Sequence, residues 1–266
     1  MRVPTKERTR EQFGRVASKY RCSADHTDIE DLDLLFGALA PKKGHLALDV
    51  ATGAGHTAVA LARMEVRVVA SDLTPRMLLE ARSLAGETGT RGIAFAAADA
   101  EALPFADAVF DRLTCRIAAH HFHDIRTAMK EIARVLRPGG RAGIIDSIVP
   151  GELSLDAYMN GVERVRDPSH VRSYRNEEWV EFVAEAGLVP LQIACLWKTH
   201  AFPEWVARTG QPPAVRGQIE EMFLSAFPRA RETYRIRIEE GRVVSFTDEK
   251  IVLVARKPGA SRPAGS

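Results

Sequence analysis

Cysteine is scarce. Cys22, Cys115 and Cys195 are the only three in 266 residues, too few and too scattered for a disulfide framework or a zinc site. No apolar run approaches the roughly 20 residues that cross a bilayer. The opening MRVPTKERTREQFGRV is charged and lacks the apolar stretch of a secretory signal. Neither sign of charge dominates: 37 basic and 35 acidic residues leave a formal net charge of +2. That balance gives no bulk electrostatic case for nucleic acid or a membrane surface. The clustered Arg229, Arg231, Arg235 and Arg237 alternate with acidic residues and read as a solvated face. What is present is a globular composition, 45% apolar and 27% charged, in a chain long enough to bury a proper core. A reduced, cytoplasmic protein is expected.

Apolar runs alternate with helical patterns through the first half, as in a parallel sheet with crossover helices. Strands are predicted at residues 45–50, 67–71, 93–97, 110–115 and 141–148. Helices are predicted over 56–64, from Thr74-Pro75 onward, and over 124–136. Thr caps the second of these and Pro suits its first turn. Arg137-Pro138-Gly139-Gly140 stops the third and turns the chain into the next strand. After Pro150 the pattern loosens. Asn176 is the predicted cap of a helix ending at Gly187, followed by a strand over 188–197. Residues 202–227 read mainly as helix, broken at Gly210 and Pro212-Pro213. The stretch 235–256 reads as two strands around Gly241 and a further piece after Asp248, and 258–266 as a frayed tail.

The turn Ala51-Thr52-Gly53-Ala54-Gly55 joins the first strand to the first crossover helix. A glycine-bearing turn there lets backbone N–H groups and a helix N-terminus approach a ligand. Gly53-x-Gly55-x-x-Ala58, with Asp72 downstream, also satisfies the loose nicotinamide-dinucleotide fingerprint, so the turn alone does not choose a cofactor. Three acids tilt the choice. Asp49 lies inside the first strand, where a negative charge suits a cationic amino group and not a pyrophosphate. Asp72 ends the second strand, placed for the paired hydroxyls of a ribose. Asp99 follows the third, placed to accept from an adenine amino group. All three fall at the carboxyl ends of successive parallel strands and open on one crevice.

The segments LALDVATGAGH, VVASDLTPRML, AADAEALPF, FDRLTCRIAAHHF and ARVLRPGG resemble the class I S-adenosylmethionine-dependent methyltransferases, in particular the group similar to the ubiquinone and menaquinone biosynthesis methyltransferases. RDPSHVRSY, KTHAFPEW and IVLVARKP resemble a bacterial subgroup of these without an assigned acceptor. One position departs from the family pattern: Ala51 stands where the first glycine is usual. The resemblance implies a doubly wound α/β fold with a mostly parallel, seven-stranded Rossmann-like sheet, an antiparallel last strand and an inserted lid. It implies a helical cap over residues 1–40, a cofactor-binding core over 41–150, and acceptor-side lid and C-terminal strands over 151–257. Asp49, Thr52, Gly53 and Gly55 would hold the methionine part of S-adenosylmethionine, Asp72 and Leu73 the ribose, and Asp99 with Ala100 the adenine. Cys115 and Arg116 would flank the cofactor near its reactive end, and Tyr20, on a helix folding over it, is a further contact.

Methyl transfer from a sulfonium is an in-line displacement, so the protein must chiefly align donor and acceptor and exclude water. A base helps a hydroxyl or carbon acid and is less needed for a thiol or free amine. His120, His121, His123 and His170 are the candidates, with His121 and His170 chosen as bases. His-His-x-His lacks an acidic or cysteine partner at ligand spacing, so no metal is expected. Arg116, Arg166 and Arg172 suit either an anionic acceptor or ion pairs that hold the lid. The expected partner is a small-molecule acceptor, without nucleic acid or membrane, and a homodimer is left open. Two rivals stay open beside this reading: a module that binds the cofactor without catalysis, and an NAD(P)-dependent oxidoreductase, for which no Tyr-x-x-x-Lys pair is present.

Overall fold

The structure, a computed structural model, describes residues 6–21 and 30–259. Cys22 and the tail from Ala260 onward lie outside them. Among the described residues eight strands form one sheet: β1 Leu46–Val50, β2 Arg67–Asp72, β3 Ile93–Ala97, β4 Phe110–Arg116, β5 Leu136–Ile148, β6 Val189–Ala201, β7 Arg237–Glu239 and β8 Arg242–Arg256. Their order is β3-β2-β1-β4-β5-β8-β6, with β7 paired to β8 alone. β1 to β5 run parallel, and β8 runs antiparallel to both β5 and β6. The expected antiparallel last strand is therefore present, but the sheet has one strand more than seven. The extra strand comes from a two-residue hairpin. Glu240 and Gly241 both have positive φ, 48° and 75°, the geometry whose twist matches paired strands. The two pieces expected after Gly241 are one strand of 15 residues.

Helices α1 Lys6–Arg21, α2 Glu30–Leu39, α3 His56–Arg63, α4 Pro75–Glu87, α5 Ile125–Val135, α6 Leu153–Arg166, α7 Asn176–Glu185, α8 Phe202–Arg208, α9 Pro213–Leu224 and α10 Pro228–Thr233, with a single 3-10 turn at Ala119–His121, complete the described elements. Two apolar clusters sandwich the sheet. Leu35 and Leu39 of α2 and Leu61 of α3 pack on Val68, Val252 and Val254. Met129 and Ile132 of α5 and Trp179 and Phe182 of α7 pack with Leu113, Ile144 and Leu253. β strands buried on both faces favour near-continuous apolar runs, which β1 and the second half of β8, Ile251 to Ala255, supply. A third cluster joins α6, α8 and α9 to the start of β8 through Leu155, Trp205, Phe223 and Phe246.

β6 runs on to Ala201, four residues past its expected end, and two other boundaries differ with a visible cause. β5 begins at Leu136, five residues early, because Gly139 N–H donates to Lys257 O and Lys257 N–H to Gly140 O, drawing the Pro-Gly-Gly segment into the sheet edge. The extra residues are absorbed as a register shift between Phe110 and Arg112. Asn176 is the first residue of α7 and not its cap: Arg175 takes that place, its backbone N–H bonding Glu178 Oε2 at 2.9 Å.

Candidate active site

The parallel strands end on one side, and the loops leaving β1 to β4 wall a cleft of about 840 Å³, open mouth included. Thr52, Gly53, Asp72, Leu73, Asp99, Ala100 and Arg116 all line it. The first turn is fixed through the acids. Asp72 Oδ2 accepts from Gly53 N–H at 2.9 Å and Oδ1 from Thr74 N–H at 2.7 Å, tying the turns after β1 and β2 together. Burial pushes the Asp72 carboxyl up to about 6 against the pull of these N–H donors. Gly53 has φ +53° and nothing within 4 Å of where a Cβ would stand.

Three of the expected contacts are not at the cleft wall. Asp49 is 1% exposed, with Oδ1 accepting from Thr114 Oγ1 at 2.6 Å and Oδ2 from Thr52 Oγ1 at 2.5 Å. It acts one layer back, orienting Thr52, and burial lifts its carboxyl to about 6 despite the two hydroxyls. Gly55 serves packing: a Cβ there would stand 2.8 Å from Ala81 Cβ, so the glycine lets α3 close on α4. Cys115 is 1% exposed in the core, its thiol pushed up by burial and by the charges of Asp146 and Asp49. The Tyr20 side chain lies outside the described residues, although its backbone continues α1.

Helix α1 supplies wall residues that the sequence did not single out: Lys6, Thr9 and Phe13. Lys6 Nζ reaches Asp99 Oδ2 at 2.6 Å and Glu101 Oε2 at 2.7 Å, so the helix start is latched across the third acid. Arg116 at the end of β4 is held by Asp31, Nε to Oδ2 at 2.9 Å. The buried His123 Nε2 on the cleft wall has no partner among the described residues. A glycine cradle, two acids at strand ends and this orphan nitrogen fit a nucleoside-bearing cofactor.

A second chamber of about 620 Å³ adjoins the cleft, sharing Phe13, Ile117 and His121 with it. Ile117 sits at φ 52°, a left-handed conformation that a β-branched residue adopts only when its surroundings impose it. His121 is neutral, its pKa drawn down to about 4 by burial and the neighbouring His120, with Nδ1 3.1 Å from Ser169 O. His170 is likewise held well below its usual range by burial and the nearby cations. Its Nε2 lies 2.9 Å from Asn160 Oδ1, which also accepts from Ser173 N–H. Among the described residues, neither of the two histidines chosen from sequence has a carboxylate hydrogen-bonded to its ring.

His120 does. Its Nδ1 stands 2.6 Å from Oδ1 of Asp146, a residue with no exposed surface, and Asp146 Oδ2 accepts from the His120 backbone at 3.0 Å. Burial alone would lower the His120 pKa, but the Asp146 charge and hydrogen bond raise it above the usual histidine value. The same contact holds Asp146 down against its own burial. Of the three arginines, Arg116 pairs with Asp31, Arg166 with Glu163 at 2.9 Å, and Arg172 with Asp156 at 2.7 Å. Arg172 lines neither cavity, in keeping with the ion-pair reading.

A methyltransferase-domain family model matches residues 48–144, the segment holding β1 to β4 and their loops. An uncharacterized methyltransferase of Bacillus subtilis (strain 168), YcgJ, is 35% identical over 243 residues, 91% of this chain and 96% of that protein. This chain is a class I S-adenosylmethionine-dependent methyltransferase. The solved YcgJ structure superposes on the methyltransferase with a TM-score of 0.82 at 34% identity, covering 88% of this chain and 100% of that one. A 27-O-demethylrifamycin SV methyltransferase of Amycolatopsis mediterranei (strain S699) is 29% identical, over 85% of this chain and 82% of its own. Among the described residues no helix is long and apolar enough to cross a membrane.

Proposed function

We propose that the methyltransferase transfers the methyl group of S-adenosylmethionine to a hydroxyl of a small-molecule acceptor, with His120 as the base. The observation that carries this reading is His120, paired to the buried Asp146, lining a chamber that shares a wall with the cofactor cleft. Gly53, Asp72 and Leu73 would hold the methionine and ribose parts, and Asp99 and Ala100 the adenine. When bound, S-adenosylmethionine supplies an electrophilic methyl group on sulfonium. The chain's own work lies on the acceptor side. Asp146 fixes the proton on His120 Nδ1, which leaves Nε2 to take the hydroxyl proton as the oxygen becomes methylated. Phe13 and Ile117 exclude water between the cavities. The relative named for 27-O-demethylrifamycin SV carries an oxygen in its substrate's name, in keeping with a hydroxyl acceptor.

Calorimetric titration with S-adenosylmethionine, NAD and NADP separately tests the cofactor assignment. Micromolar binding of S-adenosylmethionine alone is expected, weakened at least tenfold in Asp72→Ala and Asp99→Ala variants whose melting shows them folded. Binding of a dinucleotide, or of nothing, would overturn it.

A further inference from the structure

Lys250, on β8, lines the acceptor chamber and takes no part in the chemistry assigned to His120. Its side chain is 9% exposed. Nζ donates to Ser147 Oγ at 3.3 Å and stands 3.9 Å from Asp248 Oδ2, beyond hydrogen-bonding reach. An ammonium has three N–H donors, so two of them find no protein acceptor among the described residues. Burying an ammonium so incompletely hydrogen-bonded is costly; the nearby Asp248 charge offsets part of that cost, and an acceptor in the chamber would offset more. Ser147 in turn donates to Asp248 Oδ2 at 3.4 Å, and Asp248 Oδ1 bonds His200 Nε2 at 2.9 Å. This cluster sits where β5, β8 and β6 meet, and Ser147 follows Asp146, so Lys250 is one strand over from the strand that carries the carboxylate partner of His120.

The charge balance narrows the chemistry further. Arg166, Arg208 and Lys250 face Glu163, Asp167 and Asp248, and His120 is matched by Asp146. Among the described lining residues no surplus positive charge remains to reward an anion, yet most of the lining side chains are polar. Resting on the hydroxyl-methylation reading above, we propose that Lys250 anchors a second oxygen of the acceptor. The substrates are therefore neutral, oxygen-rich small molecules with one hydroxyl at His120 and a further hydroxyl or carbonyl oxygen at Lys250. Lys250 is a specificity-determining residue, and a greasy acceptor with a single oxygen leaves its donors unsatisfied.

The test uses the full chain saturated with S-adenosylhomocysteine, a step that registers failure of the cofactor assignment by itself. Phenol, catechol and salicylate are then titrated by ligand-observed NMR. Catechol is expected to bind roughly tenfold tighter than phenol, the effect of one added charged hydrogen bond, and salicylate no tighter than phenol. In Lys250→Met and Lys250→Gln, the catechol advantage is expected to fall below about threefold, with phenol and S-adenosylhomocysteine affinities unchanged. Equal binding of phenol and catechol, preference for salicylate, a catechol advantage that survives both variants, or binding of none of the three would overturn the proposal.

Discussion

With Nδ1 held 2.6 Å from a carboxylate that has no exposed surface, the His120 ring keeps its proton to higher pH than a histidine in water. A base must be neutral to act, so acceptor turnover should rise with pH through a value above 6.5. Asp146→Asn removes the charge that sustains this, leaving burial, which pulls the other way. The acid limb of the kcat profile should then move to lower pH while the plateau falls about 100-fold, measurable once an acceptor is found. A limb that stays in place would argue against His120. The folding sign agrees: a raised histidine stabilises below its unfolded pKa, and this stability fades as pH climbs through the folded value. Asp72 and Asp99 were legible in the sequence because an acid ending an apolar run is visible locally. Asp146 was not. It lies 26 positions from His120 and meets it only through the pairing of β4 with β5, so nothing in His-His-x-His reveals which ring has a carboxylate.

At the scale of elements, the crossover units were readable because apolar period and turn residues agree along them. The glycine turn was found, but its two glycines do different things. Gly53 opens the cleft floor, whereas Gly55, at φ 89°, lets α3 approach α4. Gly55→Ala therefore meets Ala81 as well as a left-handed backbone, and should cost about 2–4 kcal/mol. Urea unfolding would show it, and a change under 1 kcal/mol would mean that the two helices slip apart freely. The misplaced start of β5 has a different origin. Pro-Gly-Gly is a sound local stop, and only the distant Lys257 backbone extends the strand through it. The Lys257 ammonium also bonds the carbonyls of Ala133 and Leu136, at 2.7 and 2.8 Å, closing the end of α5.

The whole molecule assembles the proposed acceptor chamber from α1, the loop after β4, the end of β5, α6 and the loop after it, the end of β6, α8 and the middle of β8. Such a wall has no linear signature, which is why His200, Asp248 and Lys250 escaped the sequence reading. Helix α1 contributes to both cavities at once, through Lys6 and Thr9 on the cofactor side and Phe13 on both. Removal of residues 1–21 should weaken S-adenosylmethionine binding at least tenfold by calorimetry while leaving a cooperative melt, since the three apolar clusters draw on later elements. Unchanged affinity would show that the helix is dispensable to the cleft. The shared wall of Phe13, Ile117 and His121 has one more effect. On the proposed assignment of the two cavities, divergence at these three positions would alter donor and acceptor recognition together, whereas divergence at Lys250 or His200 would alter the acceptor alone. A lineage built on this scaffold can acquire new substrates by changing the outer chamber without ever risking its methyl source.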